Sequence, residues 1–594
     1  IMERRITLVE DITKKRAPFK DMAAVYLLAP TDDSVNRLIA DYGENVLYGK
    51  AAYVYFLGRI PEKQLEKIRN CKRLGKRLKA LSEANVDFLA KESRAFTFDM
   101  KKSFSDVYVR KGRSRIEAKM AEKLLSVCST LNELPHIRYA KDSATADSLA
   151  KTFHAKMEQF VRNNETFWYH GDPNNNDRER ATLLILDRKD DCLSPLMHDF
   201  TYQAMVNDLL SIDDEKITLV TESASAADDV GAYDDEDEDG EGSAELETNK
   251  QAKDILLNEN DHVWVELRGK HIAEVISTLS DRCREMVNSD TSGFTNKEKG
   301  KTMSLSQMAS ALKALPEYRE VMAKLSQHMQ IAHQCMDKFQ NGGLLDLSEL
   351  EQTLATGVTE DGKKPGITEM VEKVTEELKK TKSVTARLRL LLILIISQGG
   401  IKSTDKDALW QAASVGEEEQ KVLDNIQNHL DVPVFKAGDE GSAAFKALFG
   451  RKVSSSGDYD ADSEFANSRY VPPLKHILEE AIQHRLSFDD YPSVAPMPEM
   501  HGTGSGSAHS ARKRPDGSAR RGGATSRWQR AVPAEKTKEE SYQGGRLIVF
   551  VVGGMCFSEL RVARDVMAKE SKEIIAGSSA FLKPKQFIDL IRRL

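Results

Sequence analysis

The sequence lacks the features that mark membrane-spanning, disulfide-stabilised and metal-binding chains. Its longest purely apolar run covers residues 390–396 and is far shorter than the roughly 20 residues of a membrane-spanning helix. The six cysteines lie far apart, without a CxxC pair or the CxxC…HxxxH spacing of a zinc site. We therefore expect free thiols in a reducing cytosol, with neither a disulfide framework nor a metal site.

The sequence also lacks the basic excess that nucleic-acid-binding proteins carry. The 86 Lys and Arg residues stand against 93 Asp and Glu residues, a formal net charge of −7. General affinity for nucleic acid requires a concentrated cationic face, so no nucleic-acid partner is expected. The 594 residues are 40% hydrophobic and 30% charged, which predicts a soluble chain folded into several compact units.

Signatures of nucleotide and hydrolytic chemistry are missing as well. The sequence has no GxxxxGK[ST] phosphate-binding loop, no GxGxxG turn, no GxSxG nucleophile turn and no HExxH helix. His328 and His333 do not share the i, i+4 spacing of a helical metal pair, so we interpret them as surface or packing residues. We assign no catalytic residue, no cofactor and no metal ligand.

One carboxylate still supports an enzyme hypothesis. Asp187 ends the apolar stretch 182–186, and α/β enzymes place catalytic acids at the carboxyl ends of parallel strands. A phosphatase with an aspartyl nucleophile would need a second Asp where this chain has Lys189. The alternative is that Asp187 and Arg188 form a buried polar tie at the strand end. An α/β hydrolase using Asp187 is kept as the less favoured function.

Short apolar runs alternate with helical patterns, which predicts parallel β-sheets covered by helices. A strand-like stretch at 6–9 opens the sequence. Buried strands are predicted at 24–28, 52–57, 85–89, 182–186 and 547–552. The last two look like neighbours in one sheet although they are far apart in sequence. The residues between them would then be an insertion into a single domain.

The predicted insertion is helical. Apolar residues recur every three or four positions over 305–315, Pro316 interrupts, and the rhythm continues over 318–336. Two segments lack this periodicity: 228–241 is strongly acidic, and 501–530 is rich in Gly, Ser and basic residues. We expect both to be disordered surface loops. Binding to anionic lipid or RNA is the alternative role of the basic segment.

A set of short passages makes the chain recognisable as a whole. They are LPHIRY at 134–139, LDRKDD at 186–191, SPL at 194–196, TYQA at 201–204, LRGKHI at 267–272, SRYVPP at 468–473, VVGG at 551–554 and SELR at 558–561. Together they resemble the SM (Sec/Munc) family of SNARE-regulating proteins, from about Ile6 to Leu594. Passages at 6–14, 269–275 and 576–594 are most similar to the Munc-type, syntaxin-binding branch. The endosomal and yeast exocytic branches stay open.

The resemblance implies an α/β fold: a three-domain arch of two parallel-sheet α/β domains and a mostly helical inserted domain. It places the first domain at 1–86, the second at 87–220 and 465–594, the helical domain at 221–464, a helical hairpin near 303–336 and a disordered loop near 500–545. Family members are not enzymes; they clasp a syntaxin-type SNARE in a central cleft and template assembly of the SNARE complex, including the vesicle SNARE. The protein would then be cytoplasmic and reach the plasma membrane through syntaxin.

Residue matches imply two syntaxin sites. Glu10 and Lys14 would contact syntaxin in the cleft, where they follow the predicted strand at 6–9. Leu65, Leu81 and Glu83 would form an outer pocket for the N-terminal peptide of syntaxin. The match at this pocket departs from the family, because an aromatic residue is expected near Leu65.

Two further sets follow from the same resemblance. Pro316, Leu325 and Met329 would belong to the hairpin that switches conformation and meets the vesicle SNARE. The chain lacks the family's opening strand-helix-strand of roughly fifty residues, a length that holds a full βαβ unit, so we expect a natural N-terminal segment to be missing. The structural motif of the family comprises Asp187, Arg188, Gly553, Gly554, Glu559 and Arg561.

Overall fold

A computed structural model describes residues 6–109, 112–164, 167, 179–222, 250–292, 316–436, 468–497 and 545–594. The segments 228–241 and 501–530, and the part of the predicted hairpin that precedes Pro316, lie outside these residues. Within the described ranges, no helix combines the length and apolar character that crossing a membrane requires.

The first unit is a small parallel sheet with helices packed on one face. Its elements are β1 (Ala24–Leu28), α1 (Asp32–Asp41), β2 (Ala52–Phe56), α2 (Glu62–Asn70), α3 (Lys72–Gly75) and β3 (Leu78–Glu83). The strands pair in the order β1-β2-β3. Because side chains alternate along a strand, Tyr26, Val54 and Phe56 are buried with Leu38 of α1, whereas Leu27 on the opposite face is 67% exposed.

Two strands predicted near the start of the chain are wrong. Residues 6–9 form no strand, and Ile6, Leu8 and Val9 are exposed. Their β-branched and apolar character favours a strand, but none of the described strands lies beside them as a pairing partner. The prediction at 85–89 fails because Asn85 has a φ of 52° and the chain turns there, so the next strand begins only at Leu89.

The second unit begins with the elements that build half of a larger sheet. They are β4 (Leu89–Glu92), β5 (Ala95–Thr97), α4 (Ser103–Tyr108), α5 (Arg113–Leu131), β6 (His136–Tyr139), α6 (Ala144–Asn163) and β7 (Thr182–Asp187). Helix α6 begins where the Ser143 side chain accepts a hydrogen bond from the Ala146 amide, a standard N-cap. Strands β6 and β7 pair in parallel.

The chain then continues into a helical region with a small antiparallel sheet. Its elements are α7 (Tyr202–Leu209), β8 (Ile212–Asp213), β9 (Lys216–Glu222), β10 (Lys250–Leu256), α8 (His262–Leu267), α9 (Ile272–Ser292) and α10 (Pro316–Asn341). The structure describes α10 from Pro316 onward. The predicted rhythm over 318–336 is helical as expected.

A second group of helices follows. They are α11 (Leu344–Thr356), α12 (Ile367–Lys380), α13 (Val384–Gln398), α14 (Lys406–Ala413), α15 (Glu417–Leu430) and α16 (Leu474–Ile482). Helix α13 contains the longest apolar run of the sequence, and every residue from Leu388 to Ile396 is buried. It is a central core helix, which explains why its apolar residues show no one-sided pattern.

The C-terminal segment returns to the large sheet. Its elements are β11 (Leu547–Val552), β12 (Met555–Cys556), α17 (Phe557–Glu570), β13 (Ile574–Ser578), β14 (Phe581–Leu582) and α18 (Pro584–Arg592). The strand order is β4-β5-β13-β11-β7-β6, and β11 lies parallel to β7, with Val549 opposite Leu184. The prediction that 182–186 and 547–552 are neighbours in one sheet is confirmed.

Among the described residues, the buried apolar side chains form three clusters. One belongs to the first unit. Another joins α7–α10 with the antiparallel sheet, and the third spans the six-stranded sheet and the helices α11–α15. The helical middle of the chain therefore has two cores, one of its own and one that it shares with the sheet.

Candidate functional site

Asp187 at the end of β7 is fully engaged by neighbouring donors. The Tyr108 hydroxyl donates to its Oδ1 at 2.6 Å and the Ser143 hydroxyl donates to its Oδ2. The Lys189 amide also donates to Oδ1, at 3.1 Å. Burial and the adjacent Asp187 raise the pKa of the Tyr108 hydroxyl. Since Asp187 is 3% exposed, its geometry is that of the buried tie and not of a nucleophile facing substrate.

Arg188 extends this tie to the C-terminal segment. Its Nη1 lies 2.7 Å from the Glu559 carboxylate and 3.3 Å from the Gly554 carbonyl oxygen, to which it donates. Glu559 also accepts a hydrogen bond from the Cys556 amide at 2.9 Å and so caps the start of α17. Arg561 lies apart, 3.5 Å from the carboxylate of Asp199.

Two glycines close the same corner. Gly553 and Gly554 have φ values of 89° and 114°, a region that side-chain-bearing residues rarely adopt. A Cβ on Gly553 would come within 2.9 Å of the Arg188 Cβ, and one on Gly554 within 2.6 Å of the Leu582 side chain. Arg188, Gly553, Gly554 and Glu559 therefore join two distant chain segments at this corner. No group of His, Cys, Asp and Glu in the described residues could hold a metal ion.

Glu10 and Lys14 lie on an exposed segment at the edge of the first unit. Glu10 accepts a hydrogen bond from the Tyr48 hydroxyl at 3.2 Å, and the Lys14 amide closes a turn on the Asp11 carbonyl oxygen at 3.1 Å. Hydrogen bonds from Thr13 lower the pKa of Asp11. The two candidates do not follow a strand, so that part of the prediction is wrong, but both side chains face solvent.

A buried ion pair fixes this segment to the sheet. Both terminal nitrogens of Arg16 donate to Asp41 at 2.8 Å, and the Tyr26 hydroxyl donates to the same carboxylate at 2.9 Å. A bidentate pair of this kind orients both partners. The exposed charges of Glu10 and Lys14 are therefore presented from a fixed base.

Leu65, Leu81 and Glu83 come together in one cavity of about 800 Å³, which we call the outer cavity. Glu83 accepts a hydrogen bond from the Ile60 amide at 2.9 Å. No cation from the described residues forms an ion pair with Glu83. Its carboxylate is therefore available to a positively charged ligand group.

The outer cavity also contains residues that the sequence prediction missed. Leu125 of α5 and Gln159 and Phe160 of α6 form a further wall of this cavity. An aromatic residue expected near Leu65 is absent there, and Phe160 brings an aromatic ring to the cavity from α6. No local sequence signal could have found this wall, because α6 lies far from Leu65 along the chain.

Of the residues predicted for the hairpin, Met329 lines a groove and Leu325 is part of a buried core. Met322 and Met329 of α10 and Cys283 of α9 line an open groove of about 480 Å³, the helical groove, together with His333. Leu325 lies beneath it and is 2% exposed. Met329 is thus half-buried, packed against the core that α7–α10 share, and Leu325 belongs to that core.

The positions of His328 and His333 in α10 agree with their interpretation as packing or surface residues. His328 is 1% exposed and is held between the Tyr202 hydroxyl at 3.0 Å and the Asp261 carboxylate at 3.3 Å. His333 is exposed. They are packing and surface residues, respectively.

Comparison with known proteins extends these observations to the whole chain. The profile of the Sec1 family matches residues 1–590. The chain is 32% identical over 602 residues to "Protein transport protein sec1" of Dictyostelium discoideum, covering all of this chain and 91% of that protein.

Solved structures share the fold. The Unc18 protein in the Unc18–syntaxin 1 complex of Monosiga brevicollis superposes with a TM-score of 0.75 at 23% identity, covering 100% of this chain and 91% of that one. Vps45 in complex with the Qa SNARE Tlg2 superposes with a TM-score of 0.69 at 19% sequence identity, covering 100% of this chain and 90% of that chain. Sly1p in complex with an N-terminal peptide of Sed5p superposes with a TM-score of 0.62 at 16% sequence identity, covering 98% of this chain and 86% of that chain. From the match along nearly all of its length and the identity to a curated relative, the chain belongs to the Sec1 family.

Proposed function

We propose that the protein is a non-enzymatic regulator of vesicle docking and fusion in exocytosis. It binds a syntaxin-type SNARE in a central cleft and templates assembly of the SNARE complex. Membership of the Sec1 family supports this proposal, as do the partners of its structural neighbours: syntaxin 1 for Unc18, and Tlg2 for Vps45. The single observation that carries it is the outer cavity, which joins apolar side chains to the Glu83 carboxylate, an acid that forms no ion pair with any described residue.

The outer cavity suits a short extended peptide. No cation from the described residues forms an ion pair with Glu83, so a lysine, arginine or terminal amine of a ligand would complete one. Leu65 and Leu81 offer apolar contact next to that carboxylate. The neighbour Sly1p binds an N-terminal peptide of Sed5p. We assign the N-terminal peptide of a syntaxin-type SNARE to this cavity.

Glu10 and Lys14 are proposed to contact the folded part of the same SNARE. They present charges of opposite sign on an exposed segment. Charges at the rim of an interface mainly determine orientation and the rate of association. We therefore expect them to select the partner and its position in the cleft.

The helical groove is proposed as the contact for the vesicle SNARE. Met322 and Met329 give it a flexible, polarisable apolar lining, which tolerates helices of different sequence. An amphipathic helix lying in such a groove would bury its apolar face. Pro316, the first described residue of α10, would control how far this helix extends.

The proposed location is the cytoplasm, with peripheral attachment to the plasma membrane through syntaxin. Action in endosomal or Golgi trafficking is the second candidate, which the resemblance to the SM family leaves open. Hydrolysis through Asp187 has no support in the geometry, because both of its oxygens already accept hydrogen bonds.

Affinity capture tests the proposal. The full chain, immobilised and incubated with detergent extract of the source cells, is expected to retain a syntaxin-type SNARE that mass spectrometry identifies. Which SNARE is retained separates the plasma membrane from the endosomal and Golgi alternatives. The matched control is a Leu81→Asp, Glu83→Arg variant, which should retain less. Absence of every SNARE from the captured material would refute the proposal.

A further inference from the structure

A cavity of about 370 Å³, which we call the junction cavity, lies where the six-stranded sheet meets the helical middle of the chain. Leu560 belongs to the core of the sheet, and Phe581 packs against that core. Ile212, Leu257 and Trp264 belong to the core of α7–α10. The volume falls within the roughly 300–1,000 Å³ of ligand pockets. The junction cavity therefore suits a small molecule that contacts both cores.

Most charged side chains that line the junction cavity already have an ionic partner. The Arg268 guanidinium, for example, lies 2.7 Å from the Glu259 carboxylate and 3.4 Å from that of Glu92. The remaining pairs are Lys91 with Asp214 and Glu215, and Lys101 with Asp99. Because these charges neutralise one another, they offer a charged ligand little net attraction.

Lys583 and Asp213 are the exceptions among the lining charges. Neither forms an ion pair with any described residue. The Lys583 ammonium donates to the Ile212 carbonyl oxygen at 2.6 Å, which uses one of its three N–H groups and places it near Asp213, the next residue in the chain. Burial lowers the pKa of Lys583, a shift that Asp213 and Asp214 partly oppose. A carboxylate bound at Lys583 would offset the cost of burying its charge.

We infer that the junction cavity binds a small zwitterion with an apolar body, of the α-amino-acid class. The carboxylate of the ligand pairs with Lys583, its ammonium with Asp213, and its side chain contacts Trp264 and Phe581. An α-amino acid carries both charges on one carbon, which suits two opposite charges that are close together but not paired. A simple anion or cation would leave one of the two without a partner.

This site is independent of the SNARE contacts proposed above. A helix with its side chains is about 10–12 Å across, and an extended peptide is long, whereas the junction cavity has room for a single small molecule. A ligand that binds only the folded protein also stabilises it by mass action. Thermal unfolding therefore gives a readout that needs no SNARE.

Three probes with the same phenyl ring test the charge requirement. They are L-phenylalanine, which has both charges, phenylpropionate, which lacks the ammonium, and phenylethylamine, which lacks the carboxylate. In calorimetric titrations of the full chain at pH 7, phenylalanine should bind about tenfold or more tightly than either analogue, because each analogue loses one charged hydrogen bond. Leucine and tryptophan, as the free amino acids, extend the panel to other apolar bodies.

Two lysines close together in the sequence give a matched pair of variants. Lys583 lines the junction cavity, whereas Lys585 in α18 is exposed and does not. Lys583→Met and Asp213→Asn should each weaken phenylalanine binding about fivefold or more, and Lys585→Met should leave it unchanged. Urea unfolding checks that each variant is folded. The stabilisation by phenylalanine in thermal unfolding should fall in the same two variants.

Each outcome decides the matter. Phenylalanine binding that both cavity variants weaken and Lys585→Met preserves supports the inference. Weakening by Lys583→Met alone, with phenylpropionate binding as tightly as phenylalanine, would assign a simple carboxylate and overturn the zwitterion. Binding that neither Lys583→Met nor Asp213→Asn alters places the ligand elsewhere and overturns the site. The absence of binding by phenylalanine, leucine and tryptophan overturns the inference as a whole.

Discussion

Arg188 and Glu559, separated by 371 positions in the sequence, form a fully buried ion pair with an N–O distance of 2.7 Å. The pair joins the end of β7 to the start of α17, and so connects the two chain segments of the large sheet. Both side chains are about 2–3% exposed. The Glu559 charge is neutralised by Arg188, whereas Arg188 also has the Asp191 carboxylate at 3.3 Å.

Removing one partner of this pair should destabilise the protein strongly. Glu559→Gln leaves Arg188 with the Asp191 carboxylate as its counter-charge but removes the ionic part of its tie to α17, and we expect a loss of about 1–3 kcal/mol in the free energy of unfolding. Urea denaturation measures it. The control is Glu369→Gln, whose exposed pair with Lys373 within α12 should cost at most about 0.5 kcal/mol. Equal effects of the two changes would contradict the structural role of Arg188.

Gly553→Ala tests the corner where the two segments meet. Its φ of 89° and the nearby Arg188 and Tyr108 side chains oppose a Cβ, so we expect a larger loss of stability than for Gly357→Ala. Gly357 has a φ of 72° but open space around it, so its loss should be limited to the strain of roughly 1–2 kcal/mol. Thermal unfolding compares the two. A milder effect at Gly553 would mean that the corner relaxes freely.

Charge reversal at the proposed cleft should weaken SNARE binding without unfolding the protein. Glu10→Lys combined with Lys14→Glu should cost a few kcal/mol at most in calorimetric binding to a syntaxin-type SNARE, with a loss that shrinks as salt is added. Asp361→Lys with Lys363→Glu, a pair of 77–80% exposed charges in the loop between α11 and α12, is the control. An unchanged affinity for the first variant removes Glu10 and Lys14 from the site.

Pro316 should limit the length of α10. Proline inside a helix costs about 3 kcal/mol, so Pro316→Ala lets the helix continue toward its N-terminus, and we expect stronger vesicle-SNARE binding and faster SNARE assembly. Met329→Asp in the same chain should abolish the gain by placing a charge in the helical groove. Fusion kinetics at matched stability measure both. A gain that survives Met329→Asp would locate the switch elsewhere.

His136 on β6 should make stability depend on pH. Burial and the nearby Arg180 lower its pKa from 6.5 to about 4. The unfolded chain therefore binds a proton between these values that the folded protein does not, so this contribution to stability is present above pH 6.5 and is lost as the pH falls toward 4. His136→Gln should lose less stability than the parent between pH 7 and 5 in urea titrations. Identical losses would show that His136 does not contribute.

The local pattern of apolar residues predicted some strands correctly and others wrongly, and the difference has a physical cause. The uniformly apolar stretches at 182–186 and 547–552 indicated buried parallel strands, and their pairing followed from that shared character. The stretch at 6–9 looks equally strand-like, but a strand needs a partner that composition alone does not supply. Residues 85–89 failed because Asn85 adopts a left-handed conformation.

At the outer cavity, likewise, some residues could be identified from the sequence and others could not. Leu65, Leu81 and Glu83 were identified by resemblance and do share a cavity. Phe160 was not identified, because its helix reaches the cavity through tertiary packing between two units. The two cores of the helical middle were also beyond prediction, since periodicity indicates which side of a helix is buried and not against which neighbour.

The central claim is that this chain binds a syntaxin-type SNARE through the exposed segment at Glu10 and Lys14 and the outer cavity. Isothermal titration calorimetry of the full chain with the cytoplasmic region of the captured syntaxin-type SNARE tests it most directly. We predict a saturable one-to-one isotherm, weakened by Glu83→Arg alone and further by the added reversal of Glu10 and Lys14. No measurable binding to any syntaxin-type SNARE, or binding that ignores all three substitutions, would contradict the account.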